Sequence, residues 1–289
     1  MKSVVSSPIK AHGSYRARLG ETPVWCPRSQ SLLWVDILEQ RLLRYWPGAG
    51  GRTEIHAMPL LTSAVLLTTQ KETFLVVSQS GIWLYDSLHQ RLTARCEYPP
   101  EAAGTRPNEA AIAPDGALWF STMDPAAQKP TGSWYRLASG ERQARCVLSN
   151  QLVPNTLQWH EGTIWFADSL RHHIYCAQWS GMQLVELAAH RVEGIPDGSA
   201  LTTEGQLINA RWGQSQLVRY QLSGTQLQAL DNLSLPVTQP SSCTFGGPDF
   251  SDLYITSARE GLVQPSETDG ALLSLSTTLT GLPAGLFGI

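Results

Sequence analysis

The chain has 289 residues, of which 42% are hydrophobic and 16% are charged. This composition is typical of a globular protein and is too hydrophobic for a disordered one. At roughly 150 residues per domain, the length allows one large domain or two ordinary ones. The formal net charge of −3 comes without a basic block, which argues against nucleic-acid binding. No stretch approaches the ~20 apolar residues that a membrane span needs, so we expect no membrane partner.

The N-terminal segment and the cysteines both indicate a cytoplasmic protein. Residues 1–20 contain several basic residues but no apolar core of a signal peptide. The five cysteines lie far apart and include no pair separated by two residues. We therefore expect reduced thiols, without a disulfide framework or a zinc framework.

Six pairs of short apolar runs follow one another along the chain, and each pair is typical of a β-hairpin. In chain order, the pairs are 32–36 with 42–46, 74–77 with 82–85, 118–121 with 133–137, 164–167 with 174–176, 207–210 with 217–220, and 253–256 with 271–275. Helical periodicity is scarce, so the sequence predicts a chain that is mostly strand.

The hairpins repeat at a regular period. The second residue of each first run provides an anchor, and the six anchors are Trp34, Leu75, Trp119, Trp165, Ile208 and Tyr254. Successive anchors are 41, 44, 46, 43 and 46 residues apart, whereas a four-stranded propeller blade takes about 40–50 residues. Six such units fit the chain, and seven would need about 308 residues. The sequence thus predicts an all-β fold, a six-bladed β-propeller of four-stranded antiparallel blades.

A further strand is expected before each anchor strand. An acidic residue followed by glycine, as in Asp115-Gly116, precedes three of the anchors and suits a tight turn. The upstream strand would be the first of its blade and would line the central channel. Only 35 residues follow the last anchor, so we expect residues 10–18 to pair with the final blade and close the ring. We predict a single domain over residues 1–289.

Oxygen-bearing side chains recur 10 to 13 residues before each anchor, where the first strand of each blade begins. They are Glu21, Thr62, Ser63, Asn108, Asn155, Asp197, Ser241 and Ser242. Carboxylates and amides that converge on one axis need compensation, which a divalent cation supplies. Asp115 and Asp197 stand in identical Pro-Asp-Gly tripeptides. Asp115, however, lies just before its anchor strand, in the expected tight turn between the first two strands of a blade (the outer turn). Asp197 lies where the first strand of its blade begins, and it is either a ligand at the central channel or a solvated turn residue.

The order and spacing of eight short motifs resemble those of a known family. The motifs occupy residues 19–25, 106–109, 154–156, 166–169, 195–198, 235–240, 245–248 and 256–259. Together they are similar to the senescence-marker-protein/gluconolactonase/luciferin-regenerating-enzyme-like family of regucalcin-like sugar lactonases. The resemblance extends from about residue 19 to residue 275.

The resemblance implies a six-bladed propeller that binds one divalent metal ion and hydrolyses sugar lactones. By the same resemblance, Glu21, Asn155 and Asp197 are the metal ligands, and Asp197 is also the catalytic general base. Arg106 and Asn108 correspond to substrate-binding positions. An all-oxygen ligand set favours hard cations, with Ca²⁺ as the first expectation and Mg²⁺, Mn²⁺ or Zn²⁺ also compatible.

The sequence departs from the family pattern at several positions. Thr22 and Thr156 stand where the family often has glycine, and Glu109 with Ala110 replaces a common Asp-Gly pair. Residues 123–131 replace a stretch that can carry an acidic substrate contact, and they retain Asp124 and add Lys129. The preferred lactone is therefore left open by the sequence.

The leading interpretation is a metal-dependent hydrolase that opens a sugar lactone (an aldonolactone) to the aldonic acid. We expect it to act in the cytoplasm as a monomer or weak homodimer. Two alternatives remain: a non-catalytic calcium-binding regulatory protein, and a propeller that serves as a platform for protein interactions. Asp168, which follows a predicted strand, is expected to cap the adjoining turn.

Overall fold

The computed structural model describes residues 4–289 and consists almost entirely of β-strands. The first three residues of the predicted domain lie outside the described residues. The strands form six four-stranded antiparallel sheets, and the chain is a six-bladed β-propeller, as the sequence predicted. Within residues 4–289 there is no α-helix, and none of the three short 3₁₀ turns has the length needed to cross a membrane.

Five blades are meanders of four consecutive strands, which follow one another from the first strand outward. Blade 1 contains β2 (Gly20–Cys26), β3 (Ser31–Asp36), β4 (Arg41–Trp46) and β5 (Arg52–Ala57). Blade 2 contains β6 (Ala64–Leu67), β7 (Thr73–Ser78), β8 (Gly81–Asp86) and β9 (Arg91–Cys96). Blade 3 contains β10 (Arg106–Ile112), β11 (Leu118–Met123), β12 (Gly132–Leu137) and β13 (Arg145–Gln151). Blade 4 contains β14 (Pro154–His160), β15 (Thr163–Asp168), β16 (His173–Trp179) and β17 (Leu184–Arg191). Blade 5 contains β18 (Ile195–Leu201), β19 (Gln206–Trp212), β20 (Gln216–Ser223) and β21 (Gln226–Ser234).

Blade 6 combines segments from both ends of the chain. It contains β22 (Gln239–Gly246), β23 (Asp252–Ala258), β24 (Leu272–Ser276) and, as its outer strand, β1 (Lys10–His12). β1 pairs antiparallel with β24, with Ala11 opposite Leu273. The side chain of His12 adds a hydrogen bond of 2.6 Å between its Nε2 and Ser274 Oγ. The N-terminal segment thus covers an edge of β24 that would otherwise be unpaired.

By its packing, the chain divides into two compact units. The first consists of residues 4–56 and 197–283 and holds blades 1 and 6 together with blade 5 from Asp197 onward. The second consists of residues 57–196 and 284–289 and holds blades 2, 3 and 4. Its C-terminal segment is tied to blade 2, since the N–H of Phe287 donates to the carbonyl of Leu67 at 3.0 Å. The single-domain organisation over residues 1–289 stays a prediction.

All six anchors of the sequence repeat lie on the second strand of their blades and are buried. In the second unit, the Trp119 ring packs edge-to-face against Trp159 and Trp179, with centroids 6.1 and 5.3 Å apart. Such aromatic pairs contribute about 0.5–1.5 kcal/mol each beyond the burial of their area. The repeat therefore reflects one packing position that large apolar side chains fill in successive blades.

Two buried aspartates hold the loops that lead into first strands. Asp168, at the end of β15, accepts hydrogen bonds from the backbone N–H groups of Leu152 and Val153 at 2.8 and 3.2 Å. Asp36, at the end of β3, does the same for Arg18 and Leu19 at 2.8 and 3.1 Å. The predicted capping of the adjoining turn by Asp168 is wrong, because its side chain makes no cap hydrogen bond to residues 169–171. The carboxylate holds the loop before β14 instead. Each carboxylate thereby fixes the backbone just before a strand that carries a candidate site residue.

We expect Asp168→Ala to lower the free energy of unfolding by about 2–4 kcal/mol, because it leaves two N–H groups without their charged acceptor. Asp115→Ala is the matched control. Asp115 also accepts a backbone hydrogen bond and pairs with Arg136 at 2.7 Å, but its side chain is half exposed. The control should cost less than about 1 kcal/mol. Denaturant unfolding of both variants measures the difference, and equal losses would contradict the role of Asp168 in holding the loop before β14.

Candidate functional site

Every predicted site residue lies on the first strand of a blade. Glu21 is on β2, Arg106 and Asn108 are on β10, Asn155 is on β14, and Asp197 is on β18. Arg106, Asn108 and Asn155 belong to the second unit, and Glu21 and Asp197 belong to the first. The sequence repeat therefore predicted correctly that these residues lie on the first strands of their blades.

The first strands of four blades have an irregularity at the polar position. The pairing register shifts between Glu21 and Val24 in β2 and between Pro107 and Ala110 in β10. Corresponding shifts occur after Asn155 in β14 and between Pro240 and Ser242 in β22. Bulges of this kind change the direction of a side chain and are frequent beside active sites.

In two of these bulges a buried threonine has a left-handed backbone. Thr22 has φ +46° and Thr156 has φ +47°. A β-branched residue rarely adopts this conformation, which costs of order 1–3 kcal/mol and persists only where the surrounding structure enforces it. These are the two positions at which the sequence departs from the glycine common in the resembled family. The backbone thus keeps a conformation that suits glycine, and the N–H of Thr22 donates to the Glu21 carboxylate at 3.1 Å.

Three of the predicted residues form a hydrogen-bonded series in the second unit. Arg106 Nη1 donates to Asn108 Oδ1 at 3.2 Å. Asn108 Nδ2 donates to Asn155 Oδ1 at 3.1 Å and to the carbonyl of Pro154 at 3.0 Å. Because a guanidinium can only donate, the amide oxygen of Asn108 faces Arg106 and its nitrogen faces Asn155. The carbonyl oxygen of Asn155 keeps a second lone pair beyond the one used by Asn108.

Asp197 is a strand residue and is only 5% exposed, so the alternative of a solvated turn residue is wrong. Its carbonyl accepts a hydrogen bond of 2.7 Å from Asn209 Nδ2, which also donates to Ser199 Oγ at 2.8 Å. Asn209 is itself held by the buried Arg211, whose Nη1 donates to the amide oxygen. The backbone at Asp197 is therefore fixed from the second strand of its own blade.

The two Pro-Asp-Gly tripeptides need glycine for different reasons. Gly116 has φ +80° and occupies a turn in which Asp115 accepts the N–H of Ala117 at 3.0 Å. At Gly198, an added Cβ would lie 2.4 Å from the Cβ of Ser242. Glycine at position 198 therefore allows β22 to approach β18 closely. The assignment of Asp115 to an outer turn is confirmed.

Glu109 lies on β10 directly after Asn108 and is partly buried. Its carboxylate accepts the N–H groups of Ala110, at 2.9 Å, and of Thr156. Burial nevertheless raises the pKa of Glu109 to about 7, and the two N–H donors offset part of that rise. A large fraction of this carboxyl is therefore protonated near neutral pH.

Asp124, the acidic residue retained in segment 123–131, makes hydrogen bonds within its own loop. Asp124 Oδ2 accepts the N–H groups of Gln128 and Lys129 at 2.9 and 3.3 Å. The side chain of Lys129 is exposed.

Two residues that the sequence did not single out as functional contact the candidate residues: Asn209, through the carbonyl of Asp197, and Ser169, through the side chain of Asn155 at 2.9 Å. Ser169 belongs to one of the family motifs, but only its neighbour Asp168 was assigned a role, as a cap. Asn209 carries no signal in the sequence, because its partner lies 12 residues away on another strand.

The candidate ligand set consists of oxygen donors. Within the part of the chain that the structure describes, no three His, Cys, Asp or Glu side chains cluster so that they could hold a metal ion. A cation site built on the predicted residues would therefore depend on the amide oxygen of Asn155 as well as on carboxylates. Carboxylate and amide oxygens are the donors that hard cations such as Ca²⁺ prefer.

A propeller whose first strands carry carboxylates, amides and a guanidinium belongs to the class of β-propellers with polar first strands. Within that class, the chain belongs to the SMP-30/Gluconolactonase/LRE-like family, whose model matches residues 19–259. The family predicted from the sequence motifs is confirmed.

Relatives and solved structures agree with this assignment. The chain is 31% identical over 250 residues to a 6-deoxy-6-sulfogluconolactonase from Pseudomonas putida, with 84% of each chain covered. It is 30% identical over 285 residues to an L-arabinolactonase from Azospirillum brasilense, which covers 94% of this chain and 93% of that protein. The crystal structure of a calcium-binding protein, regucalcin, from Agrobacterium tumefaciens superposes with a TM-score of 0.89 at 27% identity, and both chains are covered fully.

We expect Glu109 to make the protein less stable as the pH rises. The ordinary pKa of a glutamate is 4.5, and that of folded Glu109 is about 7. Between these values the folded state binds more protons than the unfolded state, so the free energy of unfolding falls by up to about 1.4 kcal/mol per pH unit. Below pH 4.5 both states are protonated, and above pH 7 the destabilisation is complete.

Glu109→Gln removes this ionisation, so its loss of stability between pH 5 and pH 8 should be smaller than that of the wild type by roughly 1–3 kcal/mol. Urea unfolding with a chelator present measures both proteins at each pH. Glu161→Gln is the control, because the Glu161 side chain is three-quarters exposed. An unchanged pH dependence in Glu109→Gln would contradict the raised pKa.

Proposed function

We propose that this protein is a metal-dependent hydrolase that opens the ester of a sugar lactone, an aldonolactone, and releases the aldonic acid. Membership of a family in which several relatives are named sugar lactonases supports the reaction class. The observation that carries the proposal is the hydrogen-bonded series Arg106–Asn108–Asn155. It joins the two expected substrate-binding residues to an expected metal ligand. The proposed partner is a small sugar lactone, the proposed location is the cytoplasm, and the proposed state is a monomer or weak homodimer.

We propose that Glu21, Asn155 and Asp197 hold one divalent cation, with Ca²⁺ favoured and Zn²⁺, Mg²⁺ or Mn²⁺ as alternatives. The residues fit such a group by their chemistry, since two carboxylates and one amide provide oxygen donors with a net negative charge. The Glu21 carboxylate is already oriented by the N–H of Thr22. When bound, a divalent cation supplies Lewis acidity toward a carbonyl oxygen.

The side chains of this protein have distinct roles in the proposed reaction. Asp197 accepts a proton from the water that attacks the lactone carbonyl, which is the role of a general base. The ring ester C–O bond then breaks, and the same proton passes to the ring oxygen that leaves as a hydroxyl. The low exposure of Asp197 keeps its carboxylate out of bulk water. Arg106 and Asn108 bind and orient sugar hydroxyls through a guanidinium that donates in a fixed geometry and an amide that can donate and accept.

A second candidate function is calcium binding without catalysis. The similarity to a structure described as a calcium-binding protein, regucalcin, favours it. The same proposed ligands would serve this function, whereas Arg106 and Asn108 would have no substrate to bind. The two functions are therefore separated by whether a lactone is hydrolysed.

Asp197→Asn should lower the rate of lactone hydrolysis by at least about 100-fold, because an amide cannot accept the proton of the attacking water. The release of acid from a panel of aldonolactones, followed with a pH indicator, measures the rate. Asp115→Asn changes the same tripeptide at its outer-turn copy and should keep the wild-type rate. If Asp197→Asn hydrolyses lactones as fast as the wild type, Asp197 has no part in the reaction.

Removal of divalent cations by dialysis against a chelator should abolish hydrolysis of the same panel. Return of Ca²⁺, Zn²⁺, Mg²⁺ or Mn²⁺ should restore it, and the order of restored rates identifies the preferred ion. Full activity after dialysis would contradict metal dependence. Stoichiometric Ca²⁺ binding without hydrolysis of any lactone in the panel would favour the regulatory function.

A further inference from the structure

Ser169 lies beside a proposed metal ligand and makes two hydrogen bonds. It follows β15 directly, and the residue is 2% exposed. Its Oγ accepts a hydrogen bond of 2.9 Å from Asn155 Nδ2 and donates one of 2.6 Å to the carbonyl of Pro196. One hydroxyl thus contacts the side chain of Asn155 and the backbone of the residue that precedes Asp197.

The direction of these bonds determines how the Asn155 carboxamide is oriented. A hydroxyl has one hydrogen, and the carbonyl of Pro196 can only accept, so the hydrogen of Ser169 points to Pro196. The group that faces the lone pairs of Ser169 must therefore donate, which assigns the nitrogen of Asn155 to that side. The amide oxygen then faces Asn108, whose nitrogen donates to it at 3.1 Å.

We infer that Ser169 is a positioning residue of the proposed cation site, which turns the amide oxygen of Asn155 toward the bound ion. The inference rests on the proposed function, because that function supplies the cation. The two ends of an amide differ only in an oxygen and a nitrogen, so a half-turn about the last side-chain bond would present N–H groups where an oxygen ligand is needed. Ser169 opposes that half-turn, since the turned amide would place its oxygen against a hydroxyl oxygen that has no hydrogen left to give.

The neighbouring residue reinforces the same segment. Asp168 fixes the backbone N–H groups of residues 152 and 153, and Ser169 fixes the side chain of Asn155. Two consecutive residues at the end of β15 thus hold the backbone and the side chain of one candidate ligand segment.

Blade 3 provides a matched control for the loss of a buried hydroxyl. Ser121, on β11, is fully buried, and its Oγ accepts the N–H of Glu109 at 3.0 Å and lies 3.3 Å from the carbonyl of Pro154. The carboxamide of Asn155 is bonded instead to Asn108 and Ser169. Ser121→Ala therefore removes a similar hydroxyl without releasing the amide.

The test is the dissociation constant for Ca²⁺ alone, measured by calorimetry on the full chain. Ser169→Ala should weaken Ca²⁺ binding at least about tenfold, whereas Ser121→Ala should change it less than about threefold. Unfolding temperatures without cation should fall in both variants. Ser169→Cys keeps the side-chain volume with a weaker donor and should bind with intermediate affinity, which provides a measurement if Ser169→Ala does not fold.

Each outcome decides the inference. Equal Ca²⁺ affinities for the wild type and Ser169→Cys, or equal losses in Ser169→Ala and Ser121→Ala, would overturn the positioning role while leaving the proposed function intact. If the wild type binds no Ca²⁺, the same titration is made with Zn²⁺, Mg²⁺ and Mn²⁺. If none of these ions binds, the positioning role is overturned, and the lactone panel decides the hydrolase separately. If the wild type binds Ca²⁺ but hydrolyses no lactone, the proposed function fails while the loss in Ser169→Ala still supports the positioning role.

Discussion

Buried amide and hydroxyl groups must be paired with partners of the opposite kind, and this constraint governs the candidate site in the second unit. At one end of the series, the guanidinium of Arg106 can only donate; at the other end, the carbonyl of Pro196 can only accept. Between them, Asn108, Asn155 and Ser169 each have one arrangement that satisfies both neighbours. A reversed amide anywhere in the series would set two donors or two acceptors against each other. The orientation of the amide oxygen of Asn155, a proposed metal ligand, thus follows from two groups at some distance from it.

The backbone of the first strands is irregular at the positions of the candidate residues. A regular strand alternates its side chains between two faces, and the bulges at Glu21 and Asn155 interrupt that alternation. Thr22 and Thr156 take the left-handed conformation that these bulges need, although their branched side chains disfavour it. The aspartates at the ends of β3 and β15 fix the loops that lead into β2 and β14. These hydrogen bonds help to hold the strained backbone in place. Strain and its support are therefore found together at the positions that the proposed chemistry uses.

Glu109 shows how a small change in a family pattern alters local chemistry. A glutamate there accepts N–H groups from its own strand and from Thr156, yet burial keeps its pKa near neutrality. A protonated carboxyl can donate a hydrogen bond, which an ionised carboxylate cannot. It lies next to Asn108, so this change of chemistry falls beside a proposed substrate-binding residue.

The sequence by itself determined the blade count, the strand phase and the strands that carry the polar candidates. These features arise from local alternation and from a period of about 44 residues, which the chain carries regardless of distant contacts. The tertiary structure decided the rest: that Asp197 is buried in a strand, that Gly198 is required by the approach of Ser242, and that Ser169 orients Asn155. Those facts depend on atoms from separate strands brought within about 3 Å, and on the direction of the hydrogen bonds between them. Local sequence specifies neither, because the partner of a buried polar group is chosen by the packing of strands that are remote along the chain.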